Sequence, residues 1–297
     1  ALAEAAERAG AARDGALMML AVAGAAVLAL IAVLVVLGVE VSPEIASQGF
    51  HTNAGSIAMV LSCTLIVALV HRLVVARAMA ADSGVQRWTL DFESALLIPL
   101  MTLLGITLLT GAFSGSFVWL YPLRVIAVAV ALRLCWTHLR HLVGGLSWLP
   151  VLVGFAVFVL WRLMIDADPA ASTAFGAALD GVAPTVAIGW LLLRTLGAVV
   201  TVPIAEELAF RGYLLAVLSR QPVLAGVRLP FDWLGFAGSS LLFGALHGQW
   251  LAGTMAGLAY GWLRYRRDRI WDAVIAHMTT NLLLAIHVMA TGQWSYW

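Results

Sequence analysis

Residues 184–218 read PTVAIGWLLLRTLGAVVTVPIAEELAFRGYLLAVL, an apolar run long enough to cross a bilayer that carries a proline, Pro203, and an adjacent pair of carboxylates, Glu206 and Glu207. A hydrocarbon core of about 30 Å needs roughly 20 apolar residues in a helix. The run exceeds that length, so it reads as an interfacial stretch joined to a span, with a kink at Pro203. Glu207 and Arg211 lie four residues apart on one helical face, and Glu206 is rotated about 100° away from them. One arginine cannot balance two carboxylates. Glu206 is therefore the group that a purely structural ion pair leaves unexplained.

The rest of the chain agrees with a membrane setting. Of 297 residues, 62% are hydrophobic and 11% charged, with a mean hydropathy of +0.96. Too little polar surface remains to coat a soluble body. Apolar runs near 16–39, 54–75, 93–112, 117–135, 148–165, 184–218, 234–249, 250–263 and 271–290 predict an all-α polytopic membrane protein with eight or nine transmembrane helices. Loop arginines alternate: Arg8, Arg72, Arg140, Arg220 and Arg266 mark one side, whereas the connections near 40–53 and 166–183 contain none. Short cytoplasmic loops collect such residues, which predicts an N-terminus inside and a C-terminus outside.

A net charge of +1 with no lysine excludes lysine chemistry and argues against a nucleic-acid partner. Cys63 and Cys135 sit in apolar runs and support neither a disulfide framework nor a cysteine-rich metal site. Gly253, Gly257 and Gly261 form small-x-x-x-small steps that permit close helix packing. Trp119, Trp148, Trp233 and Trp294 fall near span ends, as an aromatic belt does.

Ionisable groups at membrane depth cost about 2.5–3.5 kcal/mol each on insertion scales and mark functional sites by default. Besides Glu206, Glu207 and Arg211, they include His247, in Phe243-Gly-Ala-Leu-His247, and His277, in His277-Met-Thr-Thr-Asn281. The four-residue step stacks Asn281 on the face of His277. A lone histidine on an apolar helix is more often a satisfied core residue than a catalyst, but two of them with an in-phase Asn and a double Glu shift that balance. The set suits water attack on an amide: a carboxylate takes the water proton, an imidazole orients the water, and neutral donors hold the oxyanion. The same residue types could bind zinc with an open position for water. The His-Glu-x-x-His signature is absent, so the metal-free reading is preferred and no cofactor is expected.

The order Glu-Glu-x-x-x-Arg, Phe-x-x-x-His, His-x-x-x-Asn, all within 203–281, resembles the CPBP (Abi) family of intramembrane proteases, which includes CAAX prenyl endopeptidases and bacteriocin-processing proteins. The resemblance implies Glu206 as the water-activating glutamate, His247 as its assisting histidine, and His277 with Asn281 as the oxyanion-stabilising pair. Glu207, Arg211 and Phe243 would support them, and the implied mechanism is metal-independent. Tyr121-Pro-Leu-Arg124 and the stretch from Trp148 to Trp161 resemble the subgroup associated with exosortase protein sorting. Residues 42–55, with His51, resemble the region around an exosortase catalytic histidine; no cysteine occupies the nucleophile position upstream.

Residues 1–75 are accordingly expected to be N-terminal spans with an exosortase-like remnant, and 76–297 an intramembrane protease domain. The implied protein belongs in a bacterial cytoplasmic membrane and acts on a protein or peptide substrate in the bilayer, with an exosortase system as partner. Glu206 lies about 13 residues, or roughly 20 Å, from the cytoplasmic end of its span, near mid-membrane. Two rivals use the same residues: a proton-coupled small-molecule transporter, weakened by the absence of an evident repeat, and a non-catalytic membrane chaperone or immunity protein.

Overall fold

The computed structural model describes residues 90–112, 117–224 and 228–297, nearly all within a compact unit formed by 89–110 and 114–297. The expected spans at 16–39 and 54–75, Cys63, His51 and the exosortase-like stretch lie outside the described residues. Among those described there is no strand. The helices are α1 (Phe92–Ala112), α2 (Tyr121–Leu139), α3 (Trp148–Met164), α4 (Pro169–Asp180), α5 (Pro184–Leu218), α6 (Trp233–Ala245), α7 (Trp250–Arg267) and α8 (Ile270–Thr291).

Four of these, α1, α2, α5 and α8, are long and apolar enough to cross a membrane, and the bent pair α3 and α4 makes a fifth if counted as one span. Their outward faces carry large apolar side chains in the open: Leu134, Leu163 and Leu192 are 70%, 80% and 65% exposed. Lipid is the solvent that such faces fit. Two of the expected spans fall short of that test. Helix α6 has 13 residues, and α7 ends in Arg264, Arg266 and Arg267, so of the seven spans expected within the described residues up to five meet the test.

Helix boundaries follow local chemistry. Pro122 and Pro184 open α2 and α5 in the first turn, where a missing N–H costs nothing. The connection at 166–183, expected as a loop, holds α4. Asp168 accepts hydrogen bonds from the backbone N–H groups of Ala170 (2.9 Å) and Ala171 (3.1 Å), with Pro169 following it, and the chain bends by 111° between α3 and α4. Asp232 caps α6 through the N–H of Gly235 at 2.7 Å. Gly292, at φ +69°, takes the left-handed conformation that ends α8. The residues after it fold back: the Tyr296 hydroxyl donates to the Ile165 carbonyl at 2.8 Å, and the Ser295 N–H donates to the Ser172 hydroxyl at 3.1 Å.

The glycine stripe of α7 packs against α6. A Cβ on Gly257 would lie 3.0 Å from the Ser240 Cα, and one on Gly253 would lie 3.0 Å from the Gly244 Cα. Backbone meets backbone there, which only residues without a side chain permit. The core beneath the site is formed by Val128, Ala205, Ala209, Phe243, Tyr260 and Ala273.

Candidate active site

Helix α5 is not uniform. It widens into π-helical turns at Gly197–Thr201 and Leu208–Leu214, and the six α-helical residues between them carry Pro203, Glu206 and Glu207. Such wide turns concentrate at functional sites because they re-aim side chains without breaking the helix.

Glu207 and Arg211 are both fully buried. Glu207 Oε2 is 3.0 Å from Arg211 Nε, while Arg211 Nη2 donates to the Gly257 carbonyl at 2.8 Å. The guanidinium also lies 4.3 Å from the centroid of the Phe243 ring, a cation–π contact of about 2 kcal/mol in a desolvated setting. A buried charge is tolerable only with such close company.

The other oxygen of Glu207 holds His277. Nδ1 of His277 is 3.0 Å from Glu207 Oε1. A carboxylate beside an arginine accepts, so Nδ1 carries the hydrogen and the Nε2 lone pair faces away from Glu207. On that side stands Glu206 Oε2, at 4.0 Å, buried and without a hydrogen bond in the structure. The gap is too long for a hydrogen bond and is wide enough for one water oxygen to touch both groups. The sequence pattern pairs Glu206 with His247 and has Glu207 and Arg211 supporting Glu206. The geometry puts His277 next to Glu206 and spends both Glu207 oxygens on His277 and Arg211.

Glu206, His277, His247 and Asn281 all line one cavity of about 220 Å³. His247 lies in the turn after α6, not within a span, and its Nδ1 is 2.9 Å from the Phe243 carbonyl. A carbonyl only accepts, so Nδ1 is protonated there and Nε2 is an acceptor. Phe243 touches His247 and His277, with ring centroids 4.7 and 5.7 Å away. One N–H of the Asn281 amide donates to the Ala198 carbonyl at 2.7 Å, and its second N–H remains for a ligand.

Three further residues complete the walls; Tyr260 and Thr280 were not singled out in the sequence, and Trp161 entered only as the end of the Trp148–Trp161 stretch and as a belt tryptophan. Tyr260 stacks on His277, and its hydroxyl donates to Thr280 Oγ1 at 2.8 Å; the signal available was a phenol hydroxyl within a glycine-lined apolar helix. Thr280 precedes Asn281 in the third motif and donates to the Gly154 carbonyl at 2.9 Å. Trp161 meets His247 edge-on at 6.2 Å. No group of three His, Cys, Asp or Glu side chains arranged to hold a metal ion occurs among the described residues.

Residues 188–283 match the family model described as type II CAAX prenyl endopeptidase, Rce1-like. The match covers just under a third of the chain and includes every residue of the three motifs. No curated protein and no solved structure matches the chain.

Proposed function

We propose that this protein is an intramembrane endopeptidase in which Glu206 activates water against a peptide bond. The observation that carries the reading is the pairing of an unpartnered Glu206 Oε2 with the Nε2 face of His277, 4.0 Å away, on the wall of a shared cavity. The match to a prenyl endopeptidase model over 188–283 supports it, as does the set of long apolar helices.

Water held between Glu206 and His277 gives its proton to the Glu206 carboxylate, and its oxygen adds to the substrate carbonyl carbon. The carbonyl π electrons move to oxygen, and the resulting oxyanion takes the free N–H of Asn281. Collapse restores the carbonyl and breaks the C–N bond, and protonated Glu206 returns its proton to the leaving amine. His277, fixed by Glu207, keeps the water aligned, and Glu207 with Arg211 keeps His277 in one tautomer. His247 presents an acceptor nitrogen, so it assists by holding the water or a substrate N–H, and it stabilises an oxyanion only as an imidazolium. As written, the mechanism uses no metal, because Glu206 takes the proton from the water directly.

The substrate class that follows is a peptide in or at the bilayer, cut near its C-terminal region, with CAAX-type prenylated peptides as the first candidates to try. Placement in a bacterial cytoplasmic membrane, with the N-terminus inside, and service to an exosortase-type sorting system are further parts of the proposal. They rest on the arginine pattern and on the resemblance of 121–124 and 148–161.

The test uses purified protein in proteoliposomes with farnesylated and unmodified C-terminal peptides, fragments being read by mass spectrometry. Cleavage by the unaltered protein, lost by at least about 10²-fold in Glu206→Gln with unchanged helicity and elution volume, is expected. Undiminished cleavage in that variant removes Glu206 from the mechanism. Zinc that copurifies stoichiometrically and leaves together with activity on chelation overturns the metal-free route.

A further inference from the structure

The described carboxylates near the end of the bundle where α3 finishes and α5 begins do not neutralise its arginines. Arg124, Arg162 and Arg194 stand there, and none forms an ion pair with a described carboxylate. Asp168 is occupied in capping α4, and neither Asp166 nor Asp180 meets an arginine. The guanidinium carbons of Arg124 and Arg194 lie 5.4 and 4.4 Å from the centroid of one ring, Tyr121. Two like charges thus share an aromatic neighbour with no described anion between them. Arg162 lies 4.3 Å from the ring of Tyr296, and its Nη1 is buried without a hydrogen-bond partner.

Of these unpaired arginines, Arg194 reaches the candidate active site. Arg194, Tyr296 and Trp297 line the same cavity as Glu206 and His277, and Arg194 is also 5.5 Å from the Trp297 ring. Aromatic faces orient a guanidinium but leave its charge intact. The planar fork of arginine fits a carboxylate in particular.

We propose that Arg194 forms a subsite that docks a carboxylate of the peptide substrate. The inference rests on the endopeptidase reading of Glu206. Arg194 and Glu206 belong to one helix, twelve residues apart, which is at most about 18 Å of rise. An extended peptide advances about 3.3 Å per residue, so the docked carboxylate lies within roughly five residues of the cleaved bond. It is either the terminal carboxylate or an aspartate or glutamate side chain at that distance.

Binding to Glu206→Gln protein, which does not turn the probe over, tests this apart from catalysis. One apolar pentapeptide, dansylated at its amino end, is prepared as the free acid, as the amide, and as the amide with one internal aspartate. Anisotropy is read in a neutral, phosphate-free detergent. At least one carboxylate form is expected to bind tenfold more tightly than the plain amide, and which form does so identifies the source of the carboxylate. Arg194→Gln should erase the preference and Arg194→Lys should retain part of it. Equal binding of all three peptides, absence of binding, or a preference that survives Arg194→Gln overturns the proposal. So does Arg194-dependent retention of phosphatidylglycerol with no acid-over-amide preference, which assigns the arginines to lipid phosphate. A clear acid preference with no cleavage of any peptide by the unaltered protein instead sinks the endopeptidase reading and leaves a carboxylate site.

Discussion

Tyr260 lies almost flat on His277, the ring centroids 5.0 Å apart and the planes 19° from parallel. With Phe243 meeting the imidazole edge-on and Glu207 holding Nδ1, the ring is fixed on three sides. A ring free to turn would carry Nε2 away from Glu206. The stack, not the phenol hydroxyl, should therefore matter for turnover. Tyr260→Phe keeps the stack, and Thr280 keeps its carbonyl partners Gly154 and Ala276, so kcat should stay within about threefold. Tyr260→Leu removes an aromatic contact of about 0.5–1.5 kcal/mol and should lower kcat by about two- to tenfold with little change in KM. Equal losses in the two variants would count against the stacking argument.

The buried pair Glu207 and Arg211 should behave as a unit in unfolding. Arg211→Met strands a fully buried carboxylate and should cost about 3–5 kcal/mol. Glu207→Gln leaves Arg211 with the Gly257 carbonyl and the Phe243 ring, a smaller loss. The double variant should be more stable than the sum of the single losses allows, because no uncompensated charge remains. Denaturation in mixed micelles measures all three, and strict additivity would show that the pair is not coupled.

Which parts of this arrangement were legible in the sequence follows from what makes a residue anomalous. Glu206, Glu207, Arg211 and His277 stand out because charge and imidazole are costly in an apolar run, and the structure puts Glu206 and His277 on one cavity with Glu207 and Arg211 buried behind His277. Their partners were not legible. Helical spacing assigns a face to His277 and Asn281 but cannot say which carboxylate that face meets across α5, and it does not show the wide turns that set the rotation of Glu206. The end of α6 was misjudged for a local reason: the His247 imidazole takes the Phe243 carbonyl that continued helix would give to the His247 N–H, which turns to Gly244 instead. Helix α4 was missed because twelve alanine-rich residues are too short to read as a span; Asp168 followed by Pro169 was the available start signal.

Close approach of α6 and α7 gives a prediction with an internal control. Gly257→Ala would place a Cβ 3.0 Å from both the Cα and the carbonyl oxygen of Ser240. The helices must part, at about 1–3 kcal/mol, and the Gly257 carbonyl that holds Arg211 moves with them. Gly105→Ala, on α1, meets nothing within 4 Å and should leave stability unchanged or slightly raised. Paired unfolding curves decide this; equal effects at both positions would mean that the glycine stripe is not a packing device.

Asn281 separates hydrolysis from permeation. Its amide spends one N–H on the Ala198 carbonyl, inside the first wide turn of α5, which leaves the second N–H of this cavity-lining residue for a developing oxyanion. Asn281→Ala should lower kcat by about 10²–10³-fold with little effect on KM, the signature of a donor that acts only on the transition state. Asn281→Asp should fail as well, since a carboxylate can neither donate to Ala198 nor receive a developing negative charge. A transporter built from the same glutamates and histidines has no need of an amide donor at this point. Solute flux in proteoliposomes that survives Asn281→Ala, with no peptide cleaved by the unaltered protein, would transfer the site from hydrolysis to transport.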